Sequence, residues 1–281
     1  MEQTGVSIIT ATGMRPEAFG LCAEFIRRQD YRGPLQWIVV DDGEIATRID
    51  DLPANILFSH IYPEPKWKPG DNTLARNLLA AIPEVCYDFV AFCEDDDWYA
   101  SDYLGQQVKY LQEGFKIVGE VPARYYHLPT RQYWRLGNRS HASLAQTVIH
   151  KDLLPLLREI CEEPQSSFID VRLWERAQGR RAFHGGARSV GMKGLPGRAG
   201  IGVGHRPQSG VGWEPDPDLE ILRDWIGQDL ELYRTRFKAL LTPRGYKTPT
   251  QAPPTRPSDP RGARNEVLGA SEEPKSHPDL L

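Results

Sequence analysis

Short apolar runs are separated by polar and charged segments over the first 114 residues. The runs VSIIT (6–10), LQWIVVDDG (35–43) and DFVAFC (88–93) are rich in β-branched or aromatic residues. Continuous runs of this length are typical of strands that are buried on both faces of a sheet. A further run, ILFSHIYP (56–63), predicts another strand.

Between these runs, apolar residues recur at helical spacing. Residues 15–31 and 72–85 each predict an amphipathic helix. A third helix is predicted over 102–114, with Ser101 as its N-cap. Helices that alternate with buried strands indicate a Rossmann-like α/β/α sandwich with a mainly parallel central sheet.

The pattern changes after about residue 115. Residues 116–137 predict short strands and turns, as expected where a sheet is extended at one edge. Residues 147–163 and 166–179 predict two helices. A long amphipathic helix over 216–241 is predicted to break near Gly227.

The last segment, residues 243–281, contains eight prolines and few apolar clusters. Such a segment buries too little apolar surface to offset the entropy of ordering the chain. We therefore predict a disordered tail.

The composition is that of an ordinary globular protein, with 40% hydrophobic and 26% charged residues among 281. A net charge of -4 provides no overall attraction to nucleic acid or to an anionic membrane, so any basic surface must be local. The four cysteines show no CxxC spacing, which favours reduced thiols. With no signal sequence and no long apolar span, we expect a cytoplasmic protein without integral membrane contact.

Acidic residues follow two of the predicted strands. Asp41 and Asp42 end one strand, and the run Glu94 to Asp97 follows another. In open α/β sheets, ligands bind beyond the carboxyl ends of the strands, and Mg²⁺ and Mn²⁺ prefer oxygen ligands. The run is consistent with a divalent ion that bridges a diphosphate. A solvated turn that places acids at the start of the next helix is the alternative.

Four segments of the sequence together resemble the family 2 glycosyltransferases of the GT-A fold. They are VSIITAT, IVVDDG, NTLARN and FCEDDDWYASDYL, in that order, and the resemblance covers residues 4–206. It implies an enzyme that uses a nucleotide-sugar donor, with uridine as the base, and a metal cofactor, Mn²⁺ or Mg²⁺. The stand-alone transferases of bacteria and phages are the most similar type.

The resemblance also implies roles for individual residues. Asp96 would ligate the metal, with Glu94 and Asp97 in support. The residues that it places around the nucleotide are Thr10, Ala11, Thr12, Asp42, Arg76 and Asp95.

A general base is needed to take the proton of the acceptor hydroxyl as its oxygen attacks the sugar. Asp170, in FIDVRLWERA, resembles the catalytic aspartate of the family and is the predicted base of an inverting transfer. Capping of the helix N-terminus is the alternative role for this residue.

The glycine-rich segment 186–206 is basic, since residues 172–206 contain seven arginines and one lysine against a single acid, Glu175. The resemblance implies a late histidine on the metal, which is His205 here, although an ordinary loop histidine is equally consistent. We expect a flexible loop that orders over the donor. The phosphate contacts predicted in it are Lys193, Arg198 and Arg206.

The acceptor is predicted from one aromatic and basic stretch, residues 123–139. Aromatic rings and arginines can hold sugars or nucleic acid. We place a glycan or surface polysaccharide first and a hydroxymethylated base of phage-type DNA second. Residues proposed to contact the donor sugar or the acceptor are His141, Ser143 and Gln146.

Two other classes of protein are consistent with parts of the sequence. A metal-dependent phosphoesterase could use the segment His150–Lys151–Asp152, and a binding protein could keep the fold without catalysis. No obligate protein partner is evident. The predicted domain organisation is a nucleotide-binding half, an acceptor half, a helical extension and a tail, at 1–114, 115–210, 211–242 and 243–281.

Overall fold

A computed structural model describes residues 4–163, 168–198, 200, 205 and 212–241 of the chain. The strands in these residues are β1 (Val6–Thr12), β2 (Leu35–Asp41), β3 (Ile56–Ile61), β4 (Phe89–Phe92), β5 (Trp98–Tyr99), β6 (Ile117–Glu120), β7 (Arg124–His127), β8 (Gln132–Arg135), β9 (Thr147–His150), β10 (Arg180–Phe183), β11 (Ser189–Lys193) and β12 (Glu214–Pro215). The α-helices are α1 (Pro16–Arg27), α2 (Leu74–Ala81), α3 (Tyr103–Gln112), α4 (Leu154–Glu162), α5 (Ile169–Arg176), α6 (Glu220–Ile226), α7 (Leu230–Arg236) and α8 (Lys238–Leu241).

Seven strands form the central sheet, in the order β10-β6-β9-β4-β1-β2-β3. Strand β1 is parallel to both β2 and β4, so these three strands end at the same edge of the sheet. The register places Thr12 opposite Asp41 at that edge. Among the described strands of this sheet, only β9 runs antiparallel to its neighbours, and the predicted mainly parallel sheet is confirmed.

Successive residues of the central strands face opposite sides of the sheet and enter two separate cores. On β1, Ile8 belongs to the core beneath α1, whereas Ile9 belongs to the core beneath α2, α4 and α5. Trp37 and Ile38 on β2 divide in the same way. Full burial of each such side chain contributes about 1.5–3 kcal/mol, which explains why continuous apolar runs became central strands.

A second sheet brings a late segment of the chain against the acidic run. Its order is β12-β8-β7-β11-β5. Strand β5 follows the acids directly, and β11 pairs with it antiparallel, with Val190 opposite Trp98. The other edge of β11 pairs in parallel with β7, where Lys193 lies opposite His127. This pairing places Lys193 near the carboxyl end of β4.

Three local predictions were wrong. The helix predicted from residue 147 begins only at Leu154, because Thr147–His150 pairs with both β4 and β6 as a strand. The glycine-rich segment is not a loop throughout, since it contains β11. Helix α3 begins at Tyr103, so Asp102 and not Ser101 precedes it, and no side chain caps it.

The C-terminal helical segment breaks where predicted, at Gly227, which has φ of +57°. No helix in the described part of the chain combines the length and the apolar character that crossing a membrane requires. The predicted tail, 243–281, and Arg206 lie outside the described residues.

Candidate functional site

The carboxyl ends of β1 and β4 open into a cavity of about 620 Å³. Residues from both sheets and from the start of α5 line it, so the fold brings together positions that are far apart in the sequence. The predicted site residues that line the cavity are Ala11, Thr12, Glu94, Asp95, Asp96, His141, Ser143, Asp170, Lys193, Arg198 and His205.

Lys193 lies among the carboxylates of the acidic run. Its Nζ is 2.8 Å from Asp97 Oδ1, 3.3 Å from Asp96 Oδ1 and 3.5 Å from Glu94 Oε2. Burial opposes the charge on Lys193, but the surrounding acids raise its pKa well above the ordinary value. The predicted phosphate contact is therefore, in this structure, an internal counter-charge of the acidic cluster.

Arg15 supplies a second counter-charge that the sequence analysis missed. Its Nη1 is 2.8 Å from Asp95 Oδ1 and 3.1 Å from Asp96 Oδ2. Burial opposes its charge, yet Asp95 and Asp96 raise the pKa of Arg15. Its position just after β1, at the edge where the acids lie, was the available signal.

The pKa values of the four carboxyls in the cluster shift in different directions, because the two cations contact these carboxyls unequally. Burial raises the pKa of Glu94, Asp95 and Asp97 above their ordinary values. Burial also opposes ionisation of Asp96, but Lys193 and Arg15 outweigh it and lower the pKa of this carboxyl. Asp96 is thus the group most firmly held as a carboxylate.

The donor atoms fit a hard divalent ion. Glu94, Asp96 and Asp97 each offer an oxygen, and the three oxygens lie within 4.8 Å of one another. His205 Nε2 is 3.7 Å from Asp96 Oδ2, a separation that two ligands of one ion can have. Burial, together with the charge of Lys193, lowers the pKa of His205 to about 3, which keeps the imidazole in its neutral, metal-binding form.

Asp42 is fully buried and accepts hydrogen bonds on both oxygens. Thr73 Oγ1 (2.5 Å), Asn77 Nδ2 (2.9 Å) and Arg76 Nη2 (3.0 Å) donate to Oδ2, and Arg198 Nη1 donates to Oδ1 (2.8 Å). The predicted residues Arg76 and Arg198 therefore both contact the predicted residue Asp42. Thr73 and Asn77, at the start of α2, also donate to Asp42, and the sequence analysis did not predict these two contacts.

The preceding residue, Asp41, holds the turn that orients Asp42. Its carboxylate accepts from the backbone N–H groups of Gly43 (3.0 Å) and Thr47 (2.6 Å). Burial opposes ionisation, but His60 and these N–H groups lower the pKa of Asp41 to about 2.

The three predicted residues at the end of β1 have different environments. Thr12 Oγ1 donates to Asp95 Oδ2 (2.8 Å), which fixes the acid at the cavity wall, and Ala11 lines the cavity. Thr10 is fully buried, and its Oγ1 accepts from Trp37 Nε1 (2.9 Å). The side chain of Thr10 is thus directed into the core and is not among the lining residues.

Asp170 lies in the first turn of α5 and lines the cavity together with His141. Burial raises its pKa, while the N–H groups of Val171 and Leu144 and the nearby His141 partly oppose that shift. Ser143 donates to Gln146 Oε1 (3.0 Å). Gln146 is buried and does not line the cavity, so its predicted ligand contact has no support in the geometry.

Residues 7–157, more than half of the chain, match the family described as "Glycosyl transferase family 2". The chain belongs to this family. The matched region contains the ends of β1, β2 and β4 with their acids, and the chain has the GT-A fold that the sequence predicted. Among curated proteins, no relative matches the chain.

Solved structures resemble parts of the chain. TarS residues 1–349 of S. aureus are 14% identical, with 68% of this chain and 60% of that chain covered and a TM-score of 0.47. The mannosyltransferase PcManGT of Pyrobaculum calidifontis, in complex with GDP-Man and Mn²⁺, is 18% identical, with 70% and 58% covered and a TM-score of 0.47. The chain thus spans about three fifths of the length of these proteins, and the family match carries the assignment.

Proposed function

We propose that the chain transfers a sugar from a nucleoside-diphosphate donor to an acceptor hydroxyl, with Asp170 as the general base and a divalent ion at Asp96 and His205. One observation carries the proposal: Asp170 lines the same cavity as the acids and cations expected to face a diphosphate. Uridine is the base that the resemblance implies, and Mn²⁺ and Mg²⁺ both suit the oxygen ligands.

The acidic cluster would hold the ion through Asp96 and His205, with Glu94 and Asp97 in support. When bound, a divalent ion stabilises negative charge on the departing diphosphate. The protein's own cations offset the repulsion among the four neighbouring carboxyls. Lys193 Nζ lies among the three oxygens that could hold the ion and would move aside for it, whereas Arg15 pairs with Asp95 and Asp96.

Asp170 would accept the proton of the acceptor hydroxyl while that oxygen forms a bond to the anomeric carbon of the sugar. The bond from this carbon to the diphosphate breaks in the same step, and its electron pair leaves with the diphosphate. Attack from the face opposite the leaving group inverts the anomeric centre. Burial raises the pKa of Asp170, which makes its carboxylate a stronger base than an exposed one.

A glycan acceptor agrees better with the surroundings of the cavity than DNA does. Three of the four arginines in the stretch 123–139 contact other groups of the protein: Arg124 pairs with Glu120 (2.8 Å) and Arg131 donates to the Pro217 carbonyl (2.8 Å). The guanidinium of Arg135 lies over the ring of Tyr133 (5.3 Å). Phosphate binding by these groups would require breaking those contacts.

Two aromatic side chains line the cavity. Tyr125 lines it, and Phe168 lines it with 75% of its surface exposed. Aromatic faces pack well against the apolar faces of sugar rings. We therefore propose a glycan as the acceptor, with hydroxymethylated DNA as the alternative to be tested beside it.

The test is product analysis with UDP-sugars, Mn²⁺ and either glycans or hydroxymethylated duplex DNA. The proposal expects a glycan that gains the mass of the sugar, with product lost in Asp170→Asn. Asp152→Asn is the matched control, because Asp152 is exposed, pairs with Lys116 (2.6 Å) and lies outside the cavity. Free sugar or phosphate without any glycosylated product would instead support a hydrolase.

A further inference from the structure

Three aromatic side chains form a row that begins at the wall of the cavity. Tyr125 lines the cavity, and its ring centroid lies 6.1 Å from that of Trp134. The ring of Trp134 lies in turn 5.8 Å from that of Trp213, the residue just before β12. We call these three residues the aromatic row. Trp134 and Trp213 are not among the lining residues, so the row extends beyond the cavity.

The register of the second sheet places the start of the row on one face. Tyr125 on β7 lies directly opposite Trp134 on β8. Their chain neighbours Tyr126 and Tyr133 belong to the hydrophobic core. Successive side chains of a strand point to opposite faces of the sheet. Tyr125 and Trp134 are therefore a cross-strand pair on the face that does not enter this core.

Two glycines allow the backbone to lie close to these rings. A Cβ atom at Gly191 would lie 2.5 Å from Tyr125 Cδ1, and a Cβ atom at Gly212 would lie 2.5 Å from Trp134 Nε1. Real Cβ atoms essentially never come so close, so any other residue there would displace the rings. The two rings are thus held in place before a ligand arrives, which lowers the entropy cost of binding.

The rings of the row are only half-buried and keep part of their surface in solvent. The ring planes of Tyr125 and Trp134 are tilted by 39°, and those of Trp134 and Trp213 by 45°. Rings tilted in this way do not fully cover each other's faces. The row therefore offers aromatic surface on which the apolar faces of successive sugar rings can pack.

The cationic side chains of β7, β8 and β11 are already engaged or neutral. Lys193 is held by the acidic cluster, and Arg124 pairs with Glu120. Arg135 lies over an aromatic ring at 5.3 Å. Burial lowers the pKa of His127, so its imidazole is neutral at pH 7. A polyanion requires cations along its path, whereas an uncharged polymer does not.

We propose that the aromatic row is an acceptor subsite, and that the acceptor is a glycan chain of several sugar units. The reacting unit lies beside Asp170, and the units that follow it lie over Tyr125, Trp134 and Trp213. The inference rests on the proposed function and deepens it, because it defines the size of the acceptor and the residues that bind it. A reaction that builds an oligosaccharide must then supply this acceptor.

The first experiment measures affinity against the length of the glycan. Calorimetry on the intact chain, with UDP and Mn²⁺ present, uses cello-, chito- and malto-oligosaccharides from the monosaccharide to the hexasaccharide. Stacking recognises the apolar face that these sugars share, so at least one series should bind more tightly as units are added. The expected gain is about 2- to 12-fold per ring of the row. Affinity independent of length in all three series, or no binding in any, would overturn the inference.

Variants of the row provide the second measurement. Trp213→Ala should weaken binding of the hexasaccharide by about 2- to 12-fold and leave binding of the monosaccharide unchanged, because this ring lies beyond the cavity. Trp134→Ala should act in the same way, and Trp134→Phe should retain most of the affinity. Unchanged UDP affinity verifies that each variant is folded. An equal effect on both sugars, or none, would contradict the subsite.

A matched control removes an aromatic ring elsewhere. Tyr62 follows β3 at the edge of the central sheet, is 48% exposed and does not line the cavity. Tyr62→Ala should therefore leave the dependence of affinity on glycan length as it is in the unmodified chain. A loss equal to that of Trp213→Ala would contradict the assignment of the effect to the row.

Oligothymidylate is the probe for a nucleic acid, since aromatic rows can also stack bases. We expect no binding of it at physiological salt. Binding that Trp213→Ala weakens would assign the row to nucleic acid and overturn the inference. Equal transfer to monosaccharides and to longer glycans would remove the subsite but keep the proposed function. A chain that binds no UDP and transfers no sugar would contradict the proposed function itself.

Discussion

Lys193 Nζ lies 2.8 Å from Asp97 Oδ1, and this contact joins the end of β11 to the acidic turn that follows β4. The same carboxylate oxygen accepts from the backbone N–H of Met192 (3.1 Å). Two successive residues of β11 thus hold one acid. The contact spans 96 positions of sequence, so it links two segments that are far apart along the chain.

Removal of this lysine should destabilise the fold. Lys193→Met removes the positive charge that lies among the carboxyls of Glu94, Asp96 and Asp97. Removing one partner of a buried ion pair costs about 3–5 kcal/mol. Urea denaturation would measure the free energy of unfolding. Lys116→Met is the control, because Lys116 pairs with Asp152 at the surface, where such a pair is worth about 0–1 kcal/mol.

A divalent ion should partly reverse that loss. Glu94, Asp96 and Asp97 all contact Lys193 and could hold an ion themselves, so Mn²⁺ should stabilise Lys193→Met more than it stabilises the unmodified chain. Thermal unfolding with and without Mn²⁺ gives the comparison. The same shift in both proteins would show that Lys193 does not stand in for an ion.

Asp96→Asn should abolish metal-dependent binding of UDP while the chain stays folded. Asp96 is the acid whose pKa lies below its ordinary value, so it is the carboxylate most available as a ligand at neutral pH. Titration of UDP with and without Mn²⁺ tests this, and Asp152→Asn again serves as control. Full Mn²⁺-dependent affinity in Asp96→Asn would require a different ligand set.

Asp170→Asn should retain donor binding and lose transfer. The variant keeps the shape of the side chain but cannot accept a proton, and loss of a general base lowers rates by about 10²- to 10⁴-fold. Donor affinity and single-turnover transfer are measured separately. Near-normal turnover would assign the base to another residue, with His141 the first to examine because it lines the same cavity.

The pH dependence of transfer should reveal the environment of Asp170. Burial raises its pKa above the ordinary 3.8, and only the carboxylate form can accept the proton. The rate of transfer should therefore rise with pH, with a midpoint above 3.8. Any residual rate in Asp170→Asn should not show this rise. A rise in rate with its midpoint at or below pH 3.8 would indicate that the carboxyl of Asp170 is not buried.

Asp170→Asn should lower the rate of transfer but should not lower the free energy of unfolding. A raised pKa in the folded state means that ionised Asp170 disfavours folding above that pKa. Asp170→Asn should consequently unfold at the same or a higher urea concentration than the unmodified chain at neutral pH. A clear loss of stability there would identify Asp170 as a structural capping residue.

Much of the central sheet could be predicted because its strands have a local signature. VSIIT and LQWIVVDDG are buried on both faces, and that environment demands continuous apolar runs. Strand β9 was missed for a related reason. Residues 147–150 are followed directly by helix-forming residues, and only pairing with β4 and β6 makes them a strand.

The sequence by itself determined the order of β1, α1, β2, β3, α2, β4 and α3 and the placement of acids at the carboxyl ends of β2 and β4. These properties depend on side chains that are neighbours in the chain, and hydrophobic periodicity records them directly. Tertiary structure alone decided that Lys193 meets Asp97 and that Arg198 meets Asp42, across 96 and 156 positions. The reason is that β11 reaches the site through hydrogen bonds to β5 and β7, and such long-range pairing leaves no local trace in the sequence.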